Sequence, residues 1–310
     1  IIGIFSAYLY VYIHRKTFSK EFTLLLVSSI PVFLGGLLED LTKKITPKIR
    51  LLTAMLSAGI GFLILGASVP RLDIPFFDKF FVYLPVSFLF TVLAVAGVTN
   101  GINIIDGYNG LASIISLFMF IASGYVAYKV EDYFLLTFCF AVVGAIVGFF
   151  LWNYPKGLIF LGDGGAYLLG FFISEVLILL VNNHCEISAW FPALVVVYPT
   201  FETIFSIYRR RILRKQVSTK PDILHLHHLI YSRVVCKIVN SNSGINKNSL
   251  VSIYLWAISL ISIIPSMIFW KNSLVLFIFF LLFIAIYLWI YRSIVKFKTP
   301  KFLLPKVKNI

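Results

Sequence analysis

Thr99-Asn100-Gly101-Ile102-Asn103-Ile104-Ile105-Asp106-Gly107-Tyr108-Asn109-Gly110 separates two long apolar runs, residues 80–98 and 110–128. Within those positions stand three amides, one carboxylate and three glycines. A run of about 20 apolar residues is the length of a membrane-crossing helix, so the stretch reads as polar chain at a membrane boundary. Backbone that leaves a helix beside lipid must satisfy its N–H and C=O groups from protein, water or ligand, and glycine lets a ligand come close. The stretch is therefore read as part of a site.

Working outward, further apolar runs cover residues 1–13, 22–38, 51–69, 133–152, 165–181, 189–208, 250–270 and 273–292, which gives ten spans in all. The chain is 60% hydrophobic and only 13% charged, with mean hydropathy +0.94, which excludes an ordinary soluble domain. The runs are continuous rather than alternating at period two, so helices and not a barrel are expected. The expected fold is an all-α polytopic membrane bundle forming one domain, 1–310, with kinks at Pro31, Pro85, Pro192, Pro199 and Pro265. The chain opens inside a run too short to span, so the natural N-terminus is expected upstream, and no signal-peptide pattern is visible.

Lys and Arg divide 20 to 7 between the two ends of these spans, which makes the richer end the cytoplasmic one. The basic cluster His14-Arg15-Lys16 runs against that assignment. Cys139, Cys185 and Cys236 fall in a span, an outer loop and an inner loop, so they are expected to be unpaired. The inner segments, about 36–50, 99–110, 153–166 and 209–249, hold every unusual polar cluster: Glu39-Asp40 with Lys43-Lys44, the opening stretch, Gly162-Asp163-Gly164-Gly165, and His225-Leu226-His227-His228.

Carboxylates from separate segments offer hard oxygen ligands suited to Mg²⁺, which keeps several waters and binds substrate phosphates. Glycines expose backbone N–H groups, and residues 162–165 precede a helix whose N-terminus favours phosphate. Each cluster alone also has a plainer reading, as a helix cap, a solvated span end or the positive-inside signal. No H-E-x-x-H is present. Their placement on one face is what points to phosphoryl transfer involving a lipid.

These residues resemble the bacterial polyprenyl-phosphate N-acetylhexosamine-1-phosphate transferases, relatives of the phospho-N-acetylmuramoyl-pentapeptide transferase. The resemblance lies in Gly36-Leu37-Leu38-Glu39-Asp40-Leu41-Thr42-Lys43-Lys44, Asn100-x-x-Asn103-x-x-Asp106-Gly107, Leu161-Gly162-Asp163-Gly164-Gly165-Ala166 and His225-x-His227-His228, in order over about residues 20–230. The family's acidic pair is commonly Asp-Asp, so Glu39 departs from it and Asp40 is the expected principal of the pair. The resemblance implies that undecaprenyl phosphate attacks a UDP-N-acetylhexosamine and UMP leaves. It implies Mg²⁺, with Mn²⁺ able to substitute, held at Asp163. Asp40, Asp106, Asp163 and Glu39 would be catalytic, and Asn100, Asn103, Lys43, Lys44, His225, His227 and His228 would bind substrate. The expected partners are UDP-N-acetylhexosamine, undecaprenyl phosphate, membrane lipids and optionally a second copy of the chain, with no nucleic acid. The expected location is the bacterial inner membrane, with the site facing the cytoplasm. Two rival readings are a secondary transporter of an anionic solute, which would place polar groups near mid-membrane, and an inactive scaffold of the same fold.

Overall fold

The computed structural model describes Gly3 and residues 19–213, 224–238 and 246–297. Apart from Gly3, the expected first span and the His14-Arg15-Lys16 cluster lie outside the described residues. The helices are α1 (Ser19–Thr42), α2 (Pro47–Leu65), α3 (Pro75–Phe81), α4 (Leu84–Ile105), α5 (Leu111–Lys129), α6 (Tyr133–Asn153) and α7 (Gly162–Asn183). There follow α8 (Trp190–Val195), α9 (Val197–Tyr208), α10 (Leu226–Ile230), α11 (Cys236–Ile238), α12 (Lys247–Ile268) and α13 (Ser273–Val295), with π-type turns at Arg209–Leu213 and Tyr231–Val235. Among the described residues there is no strand, and eight helices are long and apolar enough to cross a membrane. The chain is an all-α, multi-pass membrane bundle.

Local sequence explains where these helices start and stop. α2 begins with Thr46 as cap, its side chain accepting from Ile49 N–H, and with Pro47 in the first turn, where a missing N–H costs nothing. It ends on Gly66 at φ +67°, a left-handed cap that glycine adopts without strain. Pro31 sits inside α1, and the next amide, Val32 N–H, donates to Ser57 Oγ of α2 at 2.9 Å. This is the kind of repair by a neighbouring helix that makes proline tolerable in a bundle.

Two expectations are corrected. α4 does not stop where the apolar run stops: the helix continues through Thr99, Asn100 and Asn103 to Ile105, and only the stretch from Asp106 to Gly110 leaves it. Hydropathy marks where lipid ends, whereas helical hydrogen bonding continues as long as side chains of neighbouring helices meet the polar residues. The run 189–208, expected as one span, is broken at Val196 into α8 and α9. Pro199 lacks the N–H that would bond to Val195 C=O, which opens the ladder there.

α7 is the axis of the bundle, buried along almost its whole length. Glycines let its neighbours pack at backbone distance. A Cβ at Gly36 of α1 would lie 2.6 Å from Gly164 backbone, and one at Gly170 would lie 2.6 Å from Thr99 Cα of α4. These approaches draw the ends of α1, α4 and α7 together. At the other end, the Asp73 carboxylate accepts from Arg71 Nε, Ser188 Oγ, Ala189 N–H and Ser273 Oγ at 2.7–2.9 Å, and so pins three connections. All three cysteines are unpaired.

Candidate active site

The last turn of α1 carries Asp40 to the start of α7. Its Oδ1 accepts from Asp163 N–H and its Oδ2 from Gly164 N–H, both at 2.9 Å. A helix start leaves its first amides without intrahelical partners and carries partial positive charge, so a carboxylate from another helix caps it well. The chain can pass this close only because residue 162 is glycine, at φ +70° and with a hypothetical Cβ 2.6 Å from Asp40 Oδ2. This corrects the expectation of an open phosphate cradle at residues 162–165, since two of the amides are already taken by Asp40. Lys43 Nζ stands 3.8 Å from Asp40 Oδ1 and is largely exposed.

Glu39 turns away from this contact, its Oε2 accepting from Ile45 N–H at 2.8 Å. Lys44 lies in the exposed loop beyond, its backbone N–H on Thr42 Oγ1 at 3.3 Å.

Asp163, freed from capping its own helix, projects its carboxylate to two other helices. Asn103 Nδ2 donates to Oδ1 at 2.8 Å, and Arg50 Nη1 of α2 pairs closely with Oδ2. The Arg50 guanidinium also lies over the Tyr167 ring, 5.8 Å from its centroid, and Tyr167 OH donates to Asn100 Oδ1 at 3.3 Å. Asn100 and Asn103, three apart on α4, share a face as helical spacing requires.

Asp106 closes α4 and joins the group electrostatically. Loss of solvent, then the charges of Asp163 and Asp40, push its carboxyl up to about 7. The following turn meets the histidine segment. Gly107 faces His227, whose Nε2 would lie 3.5 Å from a Cβ there, and Tyr108 OH is 3.1 Å from His228 Nδ1. His227 and His228 pack edge to face with ring centroids 4.4 Å apart. His225 is turned instead to Glu202 of α9, with its Nδ1 2.9 Å from Oε1. The turn itself is held by Asn153 Oδ1, which accepts Gly110 N–H at 2.6 Å, and by Asn248 Oδ1, which accepts Asn109 N–H at 2.7 Å.

One end of the bundle thus gathers Asp40, Asp106, Asp163, Asn100, Asn103, His227 and His228 from four separate segments, while Glu39 and Lys44 stand outside their direct contacts. The arrangement offers imidazoles and a guanidinium to a polyanion, and carboxylates to a cation that would accompany it. Among the described residues no group of three His, Cys, Asp or Glu side chains could by itself hold a metal ion. Mg²⁺ needs a smaller set, one or two carboxylates completed by waters and substrate phosphates; Asp163 could supply one oxygen only by exchanging Arg50 or Asn103, which hold its two oxygens here.

Sequence reasoning missed Arg50, Tyr108, Tyr167 and Glu202. Glu202 carried a legible signal, a lone acid inside an apolar run, where ionisable residues are costly and usually functional. Arg50 was counted only as charge, because nothing near it in sequence points to Asp163.

The sequence model of glycosyl transferase family 4 matches residues 22–181, which include Asp40, Asn100, Asn103, Asp106 and Asp163. The chain is 30% identical to the probable undecaprenyl-phosphate N-acetylglucosaminyl 1-phosphate transferase of Bacillus subtilis over 73% of its own length and 62% of the relative's. It is 30% identical to the undecaprenyl-phosphate alpha-N-acetylglucosaminyl 1-phosphate transferase of Thermotoga maritima, over 67% and 61%. It is 34% identical to the phospho-N-acetylmuramoyl-pentapeptide-transferase of Levilactobacillus brevis, over 44% and 42%. The chain therefore spans less than two thirds of the length of these relatives. With the family model covering more than half of its residues, the chain belongs to glycosyl transferase family 4.

Proposed function

We propose that the protein transfers an N-acetylhexosamine 1-phosphate from a UDP-sugar to undecaprenyl phosphate and releases UMP. The observation that carries this reading is the meeting of Asp40, Asp106 and Asp163 with Arg50 and the histidine segment at one end of a membrane bundle. The relatives' names, which specify transfer of N-acetylglucosaminyl 1-phosphate or of phospho-N-acetylmuramoyl-pentapeptide, support the same chemistry.

In this reaction an oxygen of the lipid phosphate attacks the phosphorus that bears the sugar. The new P–O–P bond forms to the lipid, and the bond from that phosphorus to the bridging oxygen breaks, leaving with UMP. A phosphate monoester with second pKa near ~6 is largely dianionic at neutral pH, so no strong base is needed to make it a nucleophile. The work of the side chains is positioning and charge stabilisation. Asp40 fixes the first turn of α7 and thereby the carboxylate of Asp163. Asn103 and Arg50 orient that carboxylate, and Lys43 with His227 and His228 would face the negative charge of the phosphates. Asp106, its carboxyl raised to about 7, can share a proton with the bound phosphates. Mg²⁺ held at Asp163 would supply neutralising charge on the diphosphate.

An apolar cavity of about 300 Å³ lined by Phe33, Leu37, Ile146, Phe149, Phe160 and Leu168, with Asp40 and Gly164 also in its wall, suits the first isoprene units of the lipid. Clustering of Lys and Arg supports a cytoplasmic site in the bacterial inner membrane. UDP-GlcNAc or a modified N-acetylhexosamine is the favoured donor, and the product would start a surface glycan such as O-antigen. The test is a panel of labelled UDP-N-acetylhexosamines incubated with purified protein, Mg²⁺ and undecaprenyl phosphate. One of them is expected to give an organic-extractable labelled lipid; folded protein that labels lipid with none of them overturns the proposal.

A further inference from the structure

Glu202 is fully buried on α9 and is that helix's one charged residue. A carboxylate in such a place is expensive unless several donors meet it. Here Oε1 accepts from His225 Nδ1 at 2.9 Å and from Leu226 N–H at 3.1 Å, and Oε2 accepts from the Tyr287 hydroxyl of α13 at 2.5 Å. Two of these donors belong to the start of the histidine segment. Leu226 opens α10, so its amide is one of those a short helix leaves without an internal partner.

The histidine rings transmit this hold. His225 stacks on His227 with centroids 5.2 Å apart and planes 7° from parallel, and His227 lies over Gly107 beside Asp106. Arg209, the residue that follows α9, ties the same segment by donating to Leu224 C=O at 2.9 Å and to Tyr291 OH at 2.8 Å. Commitment of Nδ1–H to a carboxylate fixes a histidine's tautomer and its ring plane together.

We infer that Glu202 is a positioning residue for the transfer reaction: through His225 Nδ1 it sets where the histidine segment stands over the turn from Asp106 to Tyr108. The inference rests on the transferase reading and adds to it a residue that touches no substrate. Glu202 differs from an ordinary staple between helices because its effect passes through one ring.

A double-mutant cycle on detergent-purified protein separates the two cases, with kcat/KM for UDP-GlcNAc as readout. Glu202→Gln keeps the volume and removes the charge, and a loss of about 10–100-fold is expected, as for other groups that orient an active-site imidazole. In a His225→Ala background the same change should cost less than about 2-fold, since coupled residues are not additive. Equal losses in both backgrounds, or wild-type kcat/KM for the single variant, overturn the inference.

If Glu202→Gln does not fold, Glu202→Asp, which keeps the charge but shortens the reach, is put through the same cycle: a loss confined to the His225 background supports the inference, and equal losses overturn it. If His225→Ala leaves no turnover, ¹⁵N-histidine spectra of the Glu202 variant decide. The His225 Nδ1 signal is expected to move, and an unmoved signal overturns the inference. A wild-type protein that makes no lipid-linked product defeats the transferase reading and this one together, whereas an active wild type with an additive cycle defeats only this one.

Discussion

Asp40 and Glu39 are adjacent, yet they do different things. Asp40 bridges two backbone amides of another helix, and Glu39 closes the turn after its own. Asp40→Ala removes an interhelix cap and should cost about 0.5–2 kcal/mol, the range for lost N-caps, together with most of the transferase activity. Glu39→Asp should keep activity within a few-fold. Melting curves in detergent and initial rates check both, and the reverse ranking of the two residues would contradict the geometry.

Glu175 is a buried acid of another kind. It is fully buried on α7, and neither carboxylate oxygen has a hydrogen-bond partner among the described residues; Gly61 of α2 leaves it room. A buried polar group without partners costs about 1–3 kcal/mol. Glu175→Leu, close in volume, should therefore raise the melting temperature, and a lowered one would mean that the carboxyl is satisfied in the membrane.

Among the helices, apolar runs made the spanning segments legible but not their ends. α4 runs on past its apolar segment because Asn103 and Asn100 are met by Asp163 and Tyr167 of α7, contacts more than fifty residues distant that local patterning does not contain. The break at Val196 had a cue in Pro199, yet four runs contain proline and α1 and α12 absorb theirs without breaking. Which proline breaks a helix depends on the packing around it.

The connections opposite the site supply a pH test of this packing. Burial alone would raise the Asp73 carboxyl, but hydrogen bonds from Ser273, Ala189, Ser188 and Arg71 outweigh it and hold the group below its usual range. A carboxyl lowered by folding contributes stability that is complete above the unfolded value of about 3.9 and is lost as pH falls through the folded one. Asp73→Asn should therefore melt lower than wild type at pH 7, with the gap shrinking toward pH 3. A gap that is constant with pH would mean that the charge contributes nothing.

Across the bundle, the polar islands were legible as islands, and their convergence followed from topology: segments at the same end of an up-and-down bundle are neighbours. What topology could not supply was the pairing. Arg50 on Asp163, Tyr108 on His228 and Glu202 on His225 depend on side-chain reach between helices. The Mg²⁺ expectation rests on Asp163 and substrate phosphates together, since the described residues make no complete metal cage.

Transfer of a sugar 1-phosphate, rather than of the sugar alone, specifies which bond breaks, and that can be read directly. UDP-GlcNAc labelled with ³²P at the sugar-bearing phosphate and ¹⁴C in the sugar should deliver both labels to undecaprenyl phosphate in equal amounts, with unlabelled UMP released and no transfer by Asp163→Asn. Transfer of ¹⁴C without ³²P, with release of labelled UDP, would show that the sugar alone moves and would refute phosphoryl transfer at this site.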